Sequence, residues 1–420
     1  MFNISKDFAP PFKMIEPFFK FGSIAYLISI FALFFIDSYG ALSDLTVIGW
    51  AHLFLLGFVM VIIFGAMAQL IPVALEIGHF SVDLYYVIFP TLGIGTILMV
   101  IGFWFMPALL PYGGLLVLVS MVVFLYETLM TLKSTTANSL TVKCVKAGNI
   151  FLTVAIIIGF LMALTIAEGF SINITNLLPI HIILVLVGYV TITIIGLSII
   201  LLPMFGLAHG YDDSDINLAF KILVVSVIVF SILKLISFDF LANIALLAMA
   251  VGVGFYFKQL IILYKIRARK LHDIWYKHIY VAFISLVVST LFLVIWLFSG
   301  AEPFLKSGVW LFLMGFFAFV INGHLIKIIP FLVWFERFSP LVGKQKVPML
   351  HEMLPDREIE ISFWTSFSGV AISAIGLLFS SDTLFKGGVS LLALGAIFMV
   401  RTVIYILNFK PETQMKNEKE

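Results

Sequence analysis

Cysteine is nearly absent: Cys144 stands alone in 420 residues. No intrachain disulfide is possible, and no Cys-x-x-Cys-His stretch exists to attach a haem covalently. Charge is scarce as well. Asp, Glu, Lys and Arg together make up 11% of the chain and the net charge is +2, so composition offers nothing for nucleic acid to bind. The opening residues, MFNISKDFAPPFKMIEPFFK, are polar and too proline-rich for a signal-peptide core. The first apolar stretch is therefore expected to stay as a helix.

Apolar sequence fills the space that charge leaves. Hydrophobic residues reach 62% and mean hydropathy is +1.15. Stretches of about 20 apolar residues, the length a helix needs to cross a bilayer, recur along the chain. Twelve are read, at 20–38, 46–75, 84–106, 108–131, 147–167, 178–205, 217–236, 239–263, 278–299, 306–335, 361–380 and 385–408. The expected fold class is all-α, a polytopic membrane protein in contact with lipid.

Lysine and arginine concentrate in alternate connections. Lys6, Lys13 and Lys20 precede span 1; Lys133, Lys143 and Lys146 follow span 4; Lys258, Lys265, Arg267, Arg269, Lys270 and Lys277 follow span 8. Arg337, Lys344, Lys346 and Arg357 follow span 10, and Lys410, Lys416 and Lys419 close the chain. The positive-inside rule then places both termini in the cytoplasm, in a bacterial cytoplasmic membrane. One connection disagrees: 206–216 carries Asp212, Asp213 and Asp215.

A pattern is written three times: Gly57-Phe58…Gly65…Pro72, Gly188-Tyr189…Gly196…Pro203 and Gly315-Phe316…Gly323…Pro330. In each copy the glycines are 8 residues apart and the proline follows by 7. Gly and Pro are common in membrane helices, but that background does not account for one spacing three times. The copies fall in spans 2, 6 and 10, which predicts three pseudo-symmetric four-helix units near 1–137, 138–270 and 271–420. Small residues let such helices approach closely, and each proline marks a bend or an end.

Three histidines are read inside spans. His52 and His181 lie early in spans 2 and 6, at a shared depth in the outer third of the bilayer. His52 precedes its glycine by 5 residues and His181 by 7. On an α-helix two residues amount to about 200°, so the rings would face opposite ways in the repeat frame and could meet between neighbouring helices. Two neutral imidazoles across a gap suit axial ligation of a haem iron, with Trp50, Phe54 and Tyr189 near in sequence. The plainer reading is two hydrogen-bonded packing residues, although ionisable groups inside membranes tend to serve function.

His324 lies roughly 20 Å deeper than the His52 level and cannot share that iron. With Asn322 and Lys327 it forms a polar group near the end of span 10, either a proton path or a snorkelling cluster at the interface, the latter preferred. Gln69 stands where Lys327 stands in the third copy, and Gly308 and Trp310 occupy the region where the other copies have histidine. His79 and His209 follow their prolines by 7 and 6 residues and are expected in solvated connections rather than at a metal. His272, His278 and His351 are placed in or beside basic connections, without ligand-like spacing.

These residues carry a resemblance. The stretch HLFLLGFVMVIIFGAMAQLIPVALEIG from His52 resembles helix two of the haem–copper oxidase catalytic subunit, where a low-spin haem ligand precedes a Gly-rich turn and a proline. The stretch HIILVLVGYVTITIIGLSIILLPMF from His181 resembles that family's other haem-ligand helix, placed here on span 6. Twelve helices with threefold pseudosymmetry are also that family's layout, and the chain is more loosely similar to the NnrS family of haem- and copper-containing membrane proteins linked to nitric oxide response. The resemblance implies non-covalent haem b held by His52 and His181. It does not imply oxygen reduction, because span 7, NLAFKILVVSVIVFSILKLIS, has none of the copper-ligating histidines; copper is possible but unsupported. Lys306 and Lys386 are the outer cations that could meet haem carboxylates. Expected roles are electron transfer, respiratory accessory work with other membrane subunits or an electron donor, or gas response. The alternatives are a haem-free transporter lined by the three Gly–Pro helices and a scaffold partner of a respiratory complex.

Overall fold

The computed structural model describes residues 10–136, 138–170, 172–270 and 273–410. Lys6, Lys416, Lys419 and His272 lie outside the described residues. Among the described residues there are twelve helices long and apolar enough to span a bilayer. They are α1 Phe12–Phe35, α2 Leu45–Leu75, α3 Val82–Trp104, α4 Pro107–Lys133, α5 Leu140–Glu168, α6 Ile174–Gly206, α7 Ser214–Leu235, α8 Asp239–Ile266, α9 Ile274–Ser299, α10 Glu302–Arg337, α11 Asp356–Leu378 and α12 Asp382–Leu407. No strand occurs among the described residues; the helices pair their backbone groups within each segment, as spanning an apolar layer requires. The chain is an all-α polytopic membrane protein.

Several helices begin earlier than hydropathy indicates. α1 starts at Phe12 and takes in Pro17, α5 starts at Leu140 and takes in Lys143 and Lys146, and α9 starts at Ile274. Polar first turns lower the hydropathy of a helix end without stopping the helix. At α5 and α9 the caps are explicit, since Ser139 accepts from the Val142 N–H and Asp273 from the Tyr276 N–H.

By contact density the chain divides into two compact units, Leu70–Leu271 and Pro10–Gln69 with His272–Glu420. In the first, α3 packs on α4, α5 on α6 and α7 on α8; in the second, α1 packs on α2, α9 on α10 and α11 on α12. The acidic connection before α7 finds its compensation inside the first unit. Lys258 of α8 meets Asp215 at 2.9 Å, and the Ser214 hydroxyl and N–H donate to Asp212, holding that carboxyl below the usual carboxylate range.

The thrice-written pattern has a thrice-observed local structure. In each copy the backbone changes from α to π at the first glycine: Leu55–Met60 around Gly57, Leu184–Thr191 around Gly188, and Leu311–Phe317 around Gly315. A π turn bonds i to i+5, so it inserts a residue into the helix and leaves a backbone group to be satisfied another way. In α6 the Thr191 hydroxyl adds a bond of its own there, donating to the Leu186 carbonyl five residues back at 2.7 Å. The aromatic after the first glycine, Phe58, Tyr189 or Phe316, is 0% exposed in all three copies.

The second glycine makes the close approach. A Cβ on Gly65 would lie 2.8 Å from Cβ of Phe18, one on Gly196 2.5 Å from Cβ of Cys144, and one on Gly323 2.8 Å from Cβ of His278. Each contact is made by the helix that precedes the motif helix, α1, α5 or α9. Lipid offers no hydrophobic drive between helices, so such backbone-close van der Waals contact is what holds each pair. The prolines act less uniformly. α2 and α6 each end three residues beyond Pro72 and Pro203, with Glu76 and Leu207 at φ 53° and 50° and with Ile77 and Ala208 N–H bonded to the proline carbonyls. α10 instead runs past Pro330 to Arg337.

Candidate functional site

His52 belongs to the second unit and His181 to the first. Each stands seven residues after the first residue of its helix and three before its π segment begins. The two-residue difference in their spacing to glycine is matched by the π segments themselves, 6 residues long in α2 and 8 in α6. The expected 200° difference in facing assumed unbroken α-helix, and the π turns remove that premise. Measured from the π onset, the two histidines occupy the same position. In α10 that position is Gly308, three residues before Leu311.

The surroundings of the two rings differ. Nδ1 of His181 is 2.7 Å from the Ala155 carbonyl of α5, and a Cβ on Gly159 of the same helix would come within 2.8 Å of the ring's Cε1. The bare Gly159 is thus the floor under the imidazole. Nδ1 of His52 is 2.8 Å from the Ile48 carbonyl of its own helix. Beside it Trp50 donates to the Ser29 carbonyl of α1 at 2.9 Å and stacks on Phe54, which is 0% exposed. A carbonyl can only accept, so in both residues Nδ1 carries the proton and the neutral ring keeps its lone pair on Nε2, the form an imidazole needs to bind iron. These residues fit the ligand role on tautomer grounds.

The polar group on α10 packs against α9. His324 gives Nδ1 to the Val320 carbonyl at 2.7 Å and lies edge-on to Trp275 at 5.9 Å. Lys327 reaches Asp273 at the N-terminus of α9, 2.6 Å away, with both side chains about a fifth exposed. Gln69, its counterpart in α2, is 4% exposed. His278, expected beside a connection, instead lies within α9 and is 3% exposed, with Nδ1 2.9 Å from the Ile274 carbonyl. It sat on the expected start of span 9, and the polar first turn of α9 carries the helix past it.

His79 corrects a second expectation. Its side chain is 5% exposed rather than solvated, and Nδ1 lies 2.7 Å from Oε1 of Glu127 in α4. Glu127 went unread in the sequence; a lone acid inside an otherwise apolar span was the available signal. His209 and His351 are exposed, as a solvated connection requires.

The outer lysines are already engaged. Lys306 donates to the Tyr39 carbonyl at 2.9 Å, and Lys386 pairs with Asp382 at 2.9 Å, which also accepts from the Ser38 hydroxyl. Beside Lys306 lies a cavity of about 60 Å³ walled by Leu33, Trp50, Trp310 and Phe385 among others. That is far below the roughly 300–1,000 Å³ of drug-sized sites. Among the described residues no group of three or more His, Cys, Asp or Glu side chains is placed to hold a metal ion.

Fold and site together define a class, an α-helical membrane protein with π-interrupted, histidine-bearing helices. No family model matches the chain, and no curated protein matches it.

Proposed function

We propose that the protein is an integral membrane haem b protein of the haem–copper oxidase subunit I-like kind, with His181 and His52 as non-covalent axial ligands. The observation that supports it is the equivalence of the two histidines: the same distance into the helix, the same distance from a π segment, and the same Nδ1-protonated ring. Their assignment to one iron is carried by the sequence resemblance. The Ala155 carbonyl holds the His181 proton on Nδ1, Gly159 leaves the ring its room, and the Ile48 carbonyl does for His52 what Ala155 does for His181. Haem with two imidazole ligands has no open position and supplies one-electron transfer. The role is electron transfer or respiratory accessory function, or a nitric oxide or other gas response, for which His52 or His181 would have to yield its place. The same proposal takes the chain as three four-helix units in a bacterial cytoplasmic membrane with both termini cytoplasmic, working with an electron donor or other respiratory membrane subunits.

Reduced-minus-oxidised optical spectra of the purified full chain test it. A b-type band is expected, lost in both His52→Ala and His181→Ala. Wild-type protein free of haem after expression with ample haem would overturn the reading in favour of a transporter or scaffold. A band that survives one of the two substitutions would remove that histidine from the ligand set.

A further inference from the structure

The haem reading leaves the cavity beside Lys306 unused. It lies within the unit Pro10–Gln69 with His272–Glu420, where the α1–α2 connection meets the early turns of α2, α10 and α12. The connection on one side of it is strapped down. The Ser38 hydroxyl donates to Asp382 at 2.8 Å, the Asp382 N–H donates to the Tyr39 hydroxyl at 3.3 Å, and Lys306 donates to the Tyr39 carbonyl at 2.9 Å. The helices around it are braced as well. The Ser307 hydroxyl of α10 donates to the Ala374 carbonyl of α11 at 3.1 Å, and Trp310 lies edge-on to Phe385 of α12 at 5.3 Å. Interiors ordinarily close their gaps by packing, and these ties hold this one open.

The wall is made of carbon. An indole has one N–H and no acceptor. Trp50 spends its N–H on the Ser29 carbonyl at 2.9 Å and Trp310 on the Val370 carbonyl at 3.0 Å, so neither offers a polar atom to the cavity. Leu33, Val309, Leu313 and Phe385 add only hydrocarbon. Lys306 and Asp37, one charge of each sign, stand among the lining residues, and both are engaged with the connection, Asp37 by accepting the Tyr39 N–H at 2.9 Å. A water held there would need about two to four polar partners, which this wall does not supply. A charged or strongly polar molecule would lose its hydration without repayment. Roughly 10–15 Å³ takes one water-sized sphere, so a cavity of about 60 Å³ suits a molecule of only a few heavy atoms.

We propose that this cavity is a binding site for a small, neutral, apolar molecule of the size of a diatomic gas. Trp50 and Trp310 are its walls and the strapped α1–α2 connection lies across it. The proposal stands apart from the haem reading and survives its failure, because no residue of the site is an iron ligand. A packing defect filled by water would share the outline but would not take up an apolar molecule.

The test is fluorine NMR of the full chain in lipid nanodiscs, labelled with fluorotryptophan and kept oxidised, under pressurised dioxygen against nitrogen. Dioxygen is an apolar diatomic molecule, and its unpaired electrons speed the relaxation of fluorines close to it. Single Trp→Phe substitutions assign the resonances. Trp50 and Trp310 are expected to show a larger enhancement than Trp275, which is equally buried at 1% exposed but does not line the cavity. Val309→Phe places a ring in the space and should abolish the excess at Trp50 and Trp310; Val309→Leu should reduce it. An enhancement at Trp50 and Trp310 no greater than at Trp275 would overturn the proposal, as would an excess that both Val309 variants leave unchanged. The first of these readings needs only wild type, and Val309→Leu supplies the second where the larger ring prevents folding.

Discussion

His181 and His52 hold the same place in two copies of one helix, yet they are positioned by different means. The His181 ring is gripped by another helix, through the Ala155 carbonyl above and the bare Gly159 beneath. The His52 ring takes its hydrogen bond from its own helix, one turn back at Ile48, and the neighbouring Trp50 supplies the tie to α1. A repeated sequence thus supplies a repeated location, while the means of fixing the ring is left to whatever packs beside it. Tautomer is the same in both. What differs is the carbonyl that Nδ1 meets, from α5 for His181 and from its own helix for His52.

The largest way to break the comparison is to remove the rings. His52→Ala and His181→Ala are both expected to abolish the b-type band in the reduced-minus-oxidised spectrum, and unequal outcomes would show that location alone does not confer the role. Next is Gly159→Val. Side-chain carbons at that Cβ position, 2.8 Å from Cε1 of His181, force the imidazole or α5 to move. The expected cost is about 1–3 kcal/mol of stability with a fall in haem content, measured by thermal denaturation in detergent and by pyridine haemochrome assay. A variant that keeps both would show that Gly159 does not shape the His181 site.

Smaller effects sharpen the same contrast. Trp50→Phe removes the hydrogen bond to the Ser29 carbonyl and should cost about 1 kcal/mol or somewhat more while haem is retained, since this tie does not involve the His52 ring itself. Thr191→Val deletes the hydroxyl bond to the Leu186 carbonyl within the π segment of α6; its cost should be about 0.5–1.5 kcal/mol in the same melts. α2 has a π segment two residues shorter and Met60 at the corresponding end, so no such substitution is open there.

The twelve spans were legible because each apolar run reaches the length that a helix needs to cross a bilayer. Their early starts at α1, α5 and α9 were not, since a polar or proline-containing first turn looks like a connection until capping and packing show otherwise. The mismatch of 5 against 7 residues between histidine and glycine is visible in the sequence, where unbroken α-helix would turn it into a difference in facing. It was in fact the trace of π turns of unequal length, which no residue type announces by itself. His79 shows the opposite limit. Its partner Glu127 is 48 residues away, and the pair exists only because the α2–α3 connection turns back at Glu76.

The sequence by itself determined that this chain crosses a membrane as helices, that three of those helices share a glycine–proline frame, and that two of them carry a histidine ahead of it, at offsets of 5 and 7 residues. Those properties follow from composition and spacing, which act along the chain and need no partner. The tertiary structure alone decided that the frame is π-helical at its first glycine, that its second glycine lies against α1, α5 or α9, and that Glu127 is buried with His79. Each of those depends on which backbone or side chain comes within a few ångströms across space, where removing one Cβ or adding one carbonyl changes what a residue can do.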